Sequence, residues 1–345
     1  VLGGGGVLGF AWTLGALSAL QAVAEFGVGD VDVIVGTSAG SVTAGLLGCG
    51  IPLDAICRHH QGVPAPADPP IAYNYDRATG GALPPRPGLR PGSPRLLLDG
   101  LRHPLRLSPI VVLASLLPAG RGTLTPVHDL MASVARDAGF AETWPTRPRP
   151  WVVAADYRSG RRVVFGRDSF APDASRGGSV PRIIRRAALA DAVTASCSIP
   201  AWYPPTVIDG VPYIDGGTIS NASVDVLRGA DVDEVYVLAP MASVEADRAR
   251  TALGRVERAV RRTITRGILA DVAALRATGV RAFVVTPEPA DLAVIGLNLM
   301  NPARRTEVLE TAEVTATAQL TRQLSASAGW ARGRAARGTP GQAPA

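Results

Sequence analysis

Ser38 lies in the stretch "VDVIVGTSAGSVTAG", where an apolar run leads into Gly36-Thr37-Ser38-Ala39-Gly40 and a small-residue segment follows. A nucleophilic serine needs this order. A strained strand-to-helix turn lifts the hydroxyl clear of the sheet, and glycines on either side let strand and helix approach without a Cβ clash. The N-terminus of the following helix favours negative charge developing beside the serine. The competing reading is a glycine-lined turn of the kind any α/β protein can carry.

Such a serine requires a base, usually histidine. The chain has His59, His60, His103 and His128. None follows residue 128, whereas the α/β-hydrolase order of serine, acid and histidine puts the histidine late. His59 and His60 border a proline-rich stretch, His103 precedes Pro104, and His128 lies near a helix start, so each reads as structural or solvated. A carboxylate remains. In "GVPYIDGGTISN" a short apolar run ends at Asp215, and Gly216-Gly217 follow, the composition of a tight turn that presents a side chain. Partial burial would raise the pKa of this aspartate and sharpen its pull on a serine proton. The plainer alternative is that Asp215 makes an Asx-turn.

The opening "VLGGGGVLGFAW" sets Gly3-Gly4-Gly5-Gly6 between an apparent strand and a helix, where consecutive N–H groups can form an oxyanion hole. Gly4-x-Gly6-x-x-Gly9 also satisfies the dinucleotide-binding fingerprint, with Asp30 or Asp32 at about the right distance downstream. In that fold, however, the ribose-binding acid closes the second strand. Here Gly36-Thr37-Ser38 close it and the aspartates stand at its start.

The elements that must hold these groups read as an α/β domain. A strand and the glycine loop precede a helix over Ala11–Phe26, the strand "VDVIVG" and a helix over Ser41–Cys49. A β-α-β-α opening predicts a parallel sheet covered by helices. Gly62–Arg95 is proline-rich and aperiodic, the composition of an irregular excursion or cap. "PWVVAADYRSGRRVVFG" reads as a β-hairpin, residues 185–198 as helical, and "VDEVYVLAP" as a buried strand. A long helix over Ala246–Thr278, the strand "VRAFVVTP" and a last helix over Pro302–Leu324 follow. The tail from Ser325 has the composition of a disordered segment.

With 345 residues and 47% hydrophobic content, the chain can bury a core for one large domain or two small ones. Cys49, Cys57 and Cys197 lack disulfide or zinc spacing and read as reduced and buried. All basic residues are arginine, and the abundance of Ala, Gly and Pro suggests a GC-rich, bacterial source. A net charge of +6 suits anionic surfaces, but the arginines are scattered and aromatics make up only 5%, so nucleic acid is not an expected partner. No stretch supplies the roughly 20 uninterrupted apolar residues of a membrane span. The opening residues lack the basic region and cleavage site of a signal peptide, and they fall inside an apparent strand, which leaves room for residues upstream. A cytoplasmic or peripherally membrane-associated protein is expected.

Taken together and in this order, "GGGGVLG", "GTSAG", "ASCSIPAWYPP" and "YIDGG" resemble the patatin-like phospholipase family of serine lipid acyl hydrolases, over roughly residues 1–320. The resemblance implies a three-layer α/β/α fold with a mainly parallel central sheet and a Pro-rich cap insertion. It makes Ser38 the nucleophile, Asp215 the base, and Gly4, Gly5 and Gly6 the oxyanion hole, with no metal or cofactor. The substrate implied is a phospholipid or related lipid ester. Residues 1–324 would form the acyl hydrolase domain, with 62–122 as cap or interfacial insertion and 325–345 as disordered tail. Members often carry a basic residue where this chain has Leu8. An arginine of "PRIIRRAAL" (Arg182, Arg185 or Arg186) is the candidate substitute, and a solvated helix face is the alternative. "IVVLASLL", flanked by Arg106 and Arg121, is a candidate membrane-surface element, with a core helix or strand as its rival. A short-chain esterase or thioesterase and a non-catalytic lipid-binding module are the alternative functions.

Overall fold

Hydrophobic alternation along the strands decides how this chain layers. The computed structural model describes residues 1–24, 26–74, 120–168, 182–245 and 251–337. Helix α1 (Gly6–Ala24) leads to strand β1 (Val33–Thr37), and helices α2 (Ala39–Gly48), α3 (Leu53–Gln61) and α4 (Thr125–Asp137) follow. Strands β2 (Arg149–Asp156), β3 (Arg162–Phe165) and β4 (Arg182–Arg185) precede helix α5 (Leu189–Ser196) and strands β5 (Thr206–Ile208), β6 (Val211–Asp215) and β7 (Glu234–Leu238). Helix α6 (Ala252–Arg276), strand β8 (Arg281–Val285), and helices α7 (Pro289–Ile295) and α8 (Arg305–Arg337) complete the chain.

Successive strand residues point to opposite faces. Ile34, Val152, Ala154, Val163 and Phe165 pack in the core built with α1 to α5 and α8. Their neighbours Val35, Trp151, Val153 and Val164 pack on the other face with Ile268, Val272 and Leu275 of α6 and with the turn around Val224 and Val226. The result is a three-layer α/β/α domain. Parallel pairing joins β1 to β2, β3 to β4 and β7 to β8. Leu2 makes parallel bridges to Gly36 and to Leu238 and so links β1 with β7. Antiparallel pairs join β2 to β3, β2 to β6 and β5 to β6.

One junction in this sheet matters most. β1 runs parallel to β2 and ends at Thr37 opposite Val153, while β6 runs antiparallel to β2 and ends at Asp215 opposite Ala154. β3 occupies the other edge of β2 over the same residues. The carboxyl ends of β1 and β6 therefore converge on consecutive residues of one strand.

Several element boundaries differ from the sequence expectation. α1 starts at Gly6, not Ala11, because burial on nearly every side stabilises it against its poor glycine propensity. Gly6–Ala24 is also long and apolar enough to cross a membrane, contrary to expectation, and 67% of that window is buried inside the protein. α3 was not anticipated, although Leu53, Ile56, Cys57 and His60 bury an i, i+3, i+4, i+7 stripe. α7 is a short helix with a Glu288–Asp291 capping box. Arg182–Arg185 pairs with β3 as an edge strand, so the helix expected over 185–198 begins at Leu189. The last helix continues past Leu324, the end expected for it, to Arg337. Residues 75–119, with His103 and "IVVLASLL", and residues 338–345 lie outside the described residues.

Candidate active site

The strand β1 hands the chain to α2 through Ser38, whose backbone sits at φ 53° and ψ −124°. A non-glycine residue held there stores about 1–3 kcal/mol of strain, which the surroundings must hold in place. Part of the restraint is visible. Ser38 N–H donates to Ser196 Oγ at 2.8 Å, and Ser196 Oγ–H donates to the Val153 carbonyl at 2.7 Å. Ser41 Oγ–H closes the other side on the Ser38 carbonyl at 2.6 Å. The two glycines of the motif permit the crossing: a Cβ at Gly36 would stand 2.5 Å from the Gly40 carbonyl oxygen, and one at Gly40 would overlap the Leu2 carbonyl.

Asp215 closes β6 at the strand junction. Its carboxylate accepts the Gly217 N–H at 2.7 Å and stands beside the Ser38 side chain, whose hydroxyl favours its ionised form. Both side chains are nearly enclosed, each residue 5% exposed. Burial pushes the Asp215 carboxyl up to about 6, with the nearby Ser38 hydroxyl and the Gly217 N–H pulling in the opposite direction. The Asx-type contact to Gly217 is present, and it leaves the carboxylate beside Ser38.

The glycine loop runs from Leu2 along the same edge. A Cβ at Gly4 would lie 3.1 Å from Ser38 Cβ. Gly4 is clamped by Asn221: its N–H donates to the Asn221 carbonyl at 3.1 Å, and Asn221 Nδ2 donates to its carbonyl at 3.1 Å. The Gly4 amide is thereby engaged away from Ser38. The N–H groups of Gly5 and Gly6 donate to no backbone carbonyl among the described residues, and Gly6 (φ +62°) opens α1. Beside them lies an apolar crevice of about 90 Å³ lined by Gly6, Phe10, Ser38, Val42, Tyr203 and Met300. A larger cavity of about 330 Å³, near Phe26, Val33 and Tyr236, contains none of these polar groups.

The described histidines face groups other than Ser38. His128 is half-exposed, with Nε2 3.3 Å from Asp191 Oδ1. His60 is buried against Phe10, ring centroids 5.3 Å apart, and burial lowers its pKa to about 3. His59 Nε2 lies 2.8 Å from the Tyr73 carbonyl oxygen. Asp32, an acid of the dinucleotide reading, faces Arg147 at the start of β1 and is 82% exposed. Leu8 is buried in α1, Arg182 and Arg185 belong to the edge strand β4, and Arg186 is exposed. Cys197 lines the crevice, and burial pushes its thiol well up, so it stays protonated there.

The decisive comparison is with protein families: a model of the patatin-like phospholipases matches residues 1–228. The chain belongs to the patatin-like phospholipase family. Comparison with curated proteins gives no match. Membership of this patatin-like family makes the protein a lipid acyl hydrolase in general terms, with lipids as its substrates. The matched span contains the glycine loop, Ser38, Ser196, Asp215 and Asn221.

Ser196 and Asn221 are the residues that sequence reasoning missed. Ser196 stands in "ASCSIPAWYPP" and Asn221 closes "YIDGGTISN", but nothing in either stretch says that it bonds to a loop so far away in sequence. Ser196→Ala leaves the Ser38 N–H and the Val153 carbonyl buried without their partner, a loss of about 1–3 kcal/mol. Urea denaturation should register that loss, and kcat should fall by about tenfold or more as Ser38 loosens, with KM little changed. A variant with wild-type stability and kcat would remove Ser196 from this role.

Proposed function

We propose that this patatin-like protein hydrolyses acyl ester bonds of phospholipids or related lipids with a Ser38–Asp215 dyad, through an acyl-enzyme. The observation that carries the reading is the convergence of Ser38, at the end of β1, and the buried Asp215 carboxylate, at the end of β6, beside an apolar crevice. Ser38 Oγ attacks the ester carbonyl and Asp215 takes its proton. A carboxylate raised to about 6 is better matched to that transfer near neutral pH than an ordinary aspartate. The Gly5 and Gly6 amides, reinforced by the N-terminus of α1, hold the developing oxyanion, while Gly4 serves as the anchored frame of the loop. Asp215 then returns the proton to the departing alkoxide. In the second half-reaction water loses its proton to Asp215 and attacks the acyl carbonyl, and Ser38 leaves with that proton. The crevice beside Ser38 would take the acyl arm.

A fluorophosphonate carrying an alkyl chain tests this directly, because it forms a stable phosphonyl ester only with an activated hydroxyl. Peptide mass mapping should find the adduct on Ser38, with the Asp215→Asn variant labelled far more slowly. An adduct on another residue, or none, would overturn the assignment.

A further inference from the structure

Helix α6 is longer than the sheet it covers. Its 25 residues span about 37 Å, against about 17 Å for the five residues of β7 or β8. Hydrogen bonds pin it at two levels. Arg276 Nε donates to the Ala282 carbonyl at 3.0 Å, at the start of β8. Arg261 Nη1 donates to the Pro240 carbonyl at 2.7 Å, just past the end of β7. Ala252–Val260 therefore overhangs the carboxyl ends of the parallel strands by about 13 Å. Pro240 also borders the glycine loop, since a Cβ on Gly5 would lie 3.0 Å from Pro240 Cγ. The overhang thus rises from the same end of the domain as Ser38.

This overhang carries an apolar stripe that the fold does not bury. Leu253, Val256 and Val260 are 65%, 61% and 50% exposed and share one side of the helix by their spacing. The buried side lies elsewhere, along Gly254, Arg261, Thr265 and Ile268. Val244, just before the helix, is also exposed. Arg255, Arg262 and Arg266 are exposed on an adjoining flank, and among the described residues no carboxylate pairs with them. The acids of the helix are engaged, Glu257 by Arg258 and Arg261, and Asp271 by Arg228 at 3.8 Å. Glu245 is an exposed acid nearby among the described residues.

We propose that the N-terminal half of α6 docks the protein on an anionic phospholipid surface. Leu253, Val256 and Val260 enter the headgroup–acyl boundary, and Arg255, Arg262 and Arg266 meet the phosphates. The inference rests on the lipid hydrolase reading above for its purpose, but its observations are independent of Ser38. Aliphatic anchors beside exposed cations match an anionic interface. A second copy of this chain, itself carrying +6, would instead bring arginine flanks together.

The test uses the full chain and vesicles of ether-linked phosphatidylcholine with phosphatidylglycerol, which the enzyme cannot cleave at an ester, beside vesicles of ether-linked phosphatidylcholine alone. Cosedimentation should find wild type on the mixed vesicles. The triple variant Leu253→Ser, Val256→Ser, Val260→Ser should bind at least ~10-fold more weakly, with unchanged circular dichroism and unchanged turnover of a soluble short-chain ester. Arg255→Gln, Arg262→Gln, Arg266→Gln should erase the preference for phosphatidylglycerol and the weakening of binding by salt. Vesicle binding by the serine variant equal to wild type would overturn the proposal. So would a wild-type dimer on gel filtration that the serine variant dissolves, since the stripe would then belong to a second copy. If wild type binds vesicles through the stripe but turns over no ester, the docking surface stands and the hydrolase reading falls.

Discussion

Ser38→Ala and Asp215→Asn should each lower kcat for a soluble medium-chain ester by roughly 10³-fold or more, with circular dichroism unchanged. The expectation follows from their placement. Ser38 and Asp215 stand together at the ends of β1 and β6, and among the described residues no histidine is bonded to Ser38. Removing the hydroxyl removes the nucleophile, and neutralising the carboxylate removes the acceptor of its proton. The two act as a unit, so the double variant should be no slower than the worse single one. His128→Ala supplies the control. Its imidazole is half-exposed and faces Asp191 and Asp129, so this variant should keep wild-type kcat. A dead but folded His128→Ala enzyme would replace the dyad with a conventional triad.

Asp215 should also set the pH dependence of both activity and stability, in opposite directions. As a base it must be ionised, so kcat/KM should rise with pH and reach half its plateau near pH 6, falling about tenfold per unit below that. Stability runs the other way. The folded carboxyl titrates near 6 against an ordinary 3.8, so between these values the folded protein holds a proton that the unfolded chain has released. That contribution is complete below 3.8 and is lost as pH rises through about 6. At ~1.4 kcal/mol per pH unit, the interval corresponds to about 3 kcal/mol of strain carried at neutral pH. Asp215→Asn buries no charge and can still accept from Gly217. It should therefore be inactive and yet melt at a higher temperature than wild type at pH 7.5, with the gap narrowing at pH 5. Thermal melts at both pH values read this out. An asparagine variant that melts below wild type at pH 7.5 would show that Asp215 holds the fold together rather than being held in it against its preference.

Much of this was legible in the residues. Although the groups that crowd them, Leu2 at Gly40 and Pro240 at Gly5, are distant in sequence, the glycine run, "GTSAG" and "DGG" each mark a tight turn whose dihedral demands are local. For the same reason the hairpin of β2 and β3 and the buried strands β7 and β8 could be read from alternation alone. Where packing overrules propensity, reading failed. α1 absorbs Gly6 into a largely buried helix, and "RIIR" becomes an edge strand only because β3 offers it unpaired backbone.

The sequence by itself determined which side chains could do chemistry: a serine in an elbow, a carboxylate before two glycines, and a loop of bare amides. It could not say which of these meet. Ser38 and Asp215 come together because β1 and β6 run in opposite directions along one edge of β2 and end on Val153 and Ala154. Only the fold could reveal that Ser196 ties down the Ser38 backbone and that the Asn221 carbonyl engages the Gly4 amide. Hydrogen bonds and strand registers between distant segments cost the unfolded chain loop-closure entropy and leave no periodic mark on sequence, so they exist only once the whole sheet has formed.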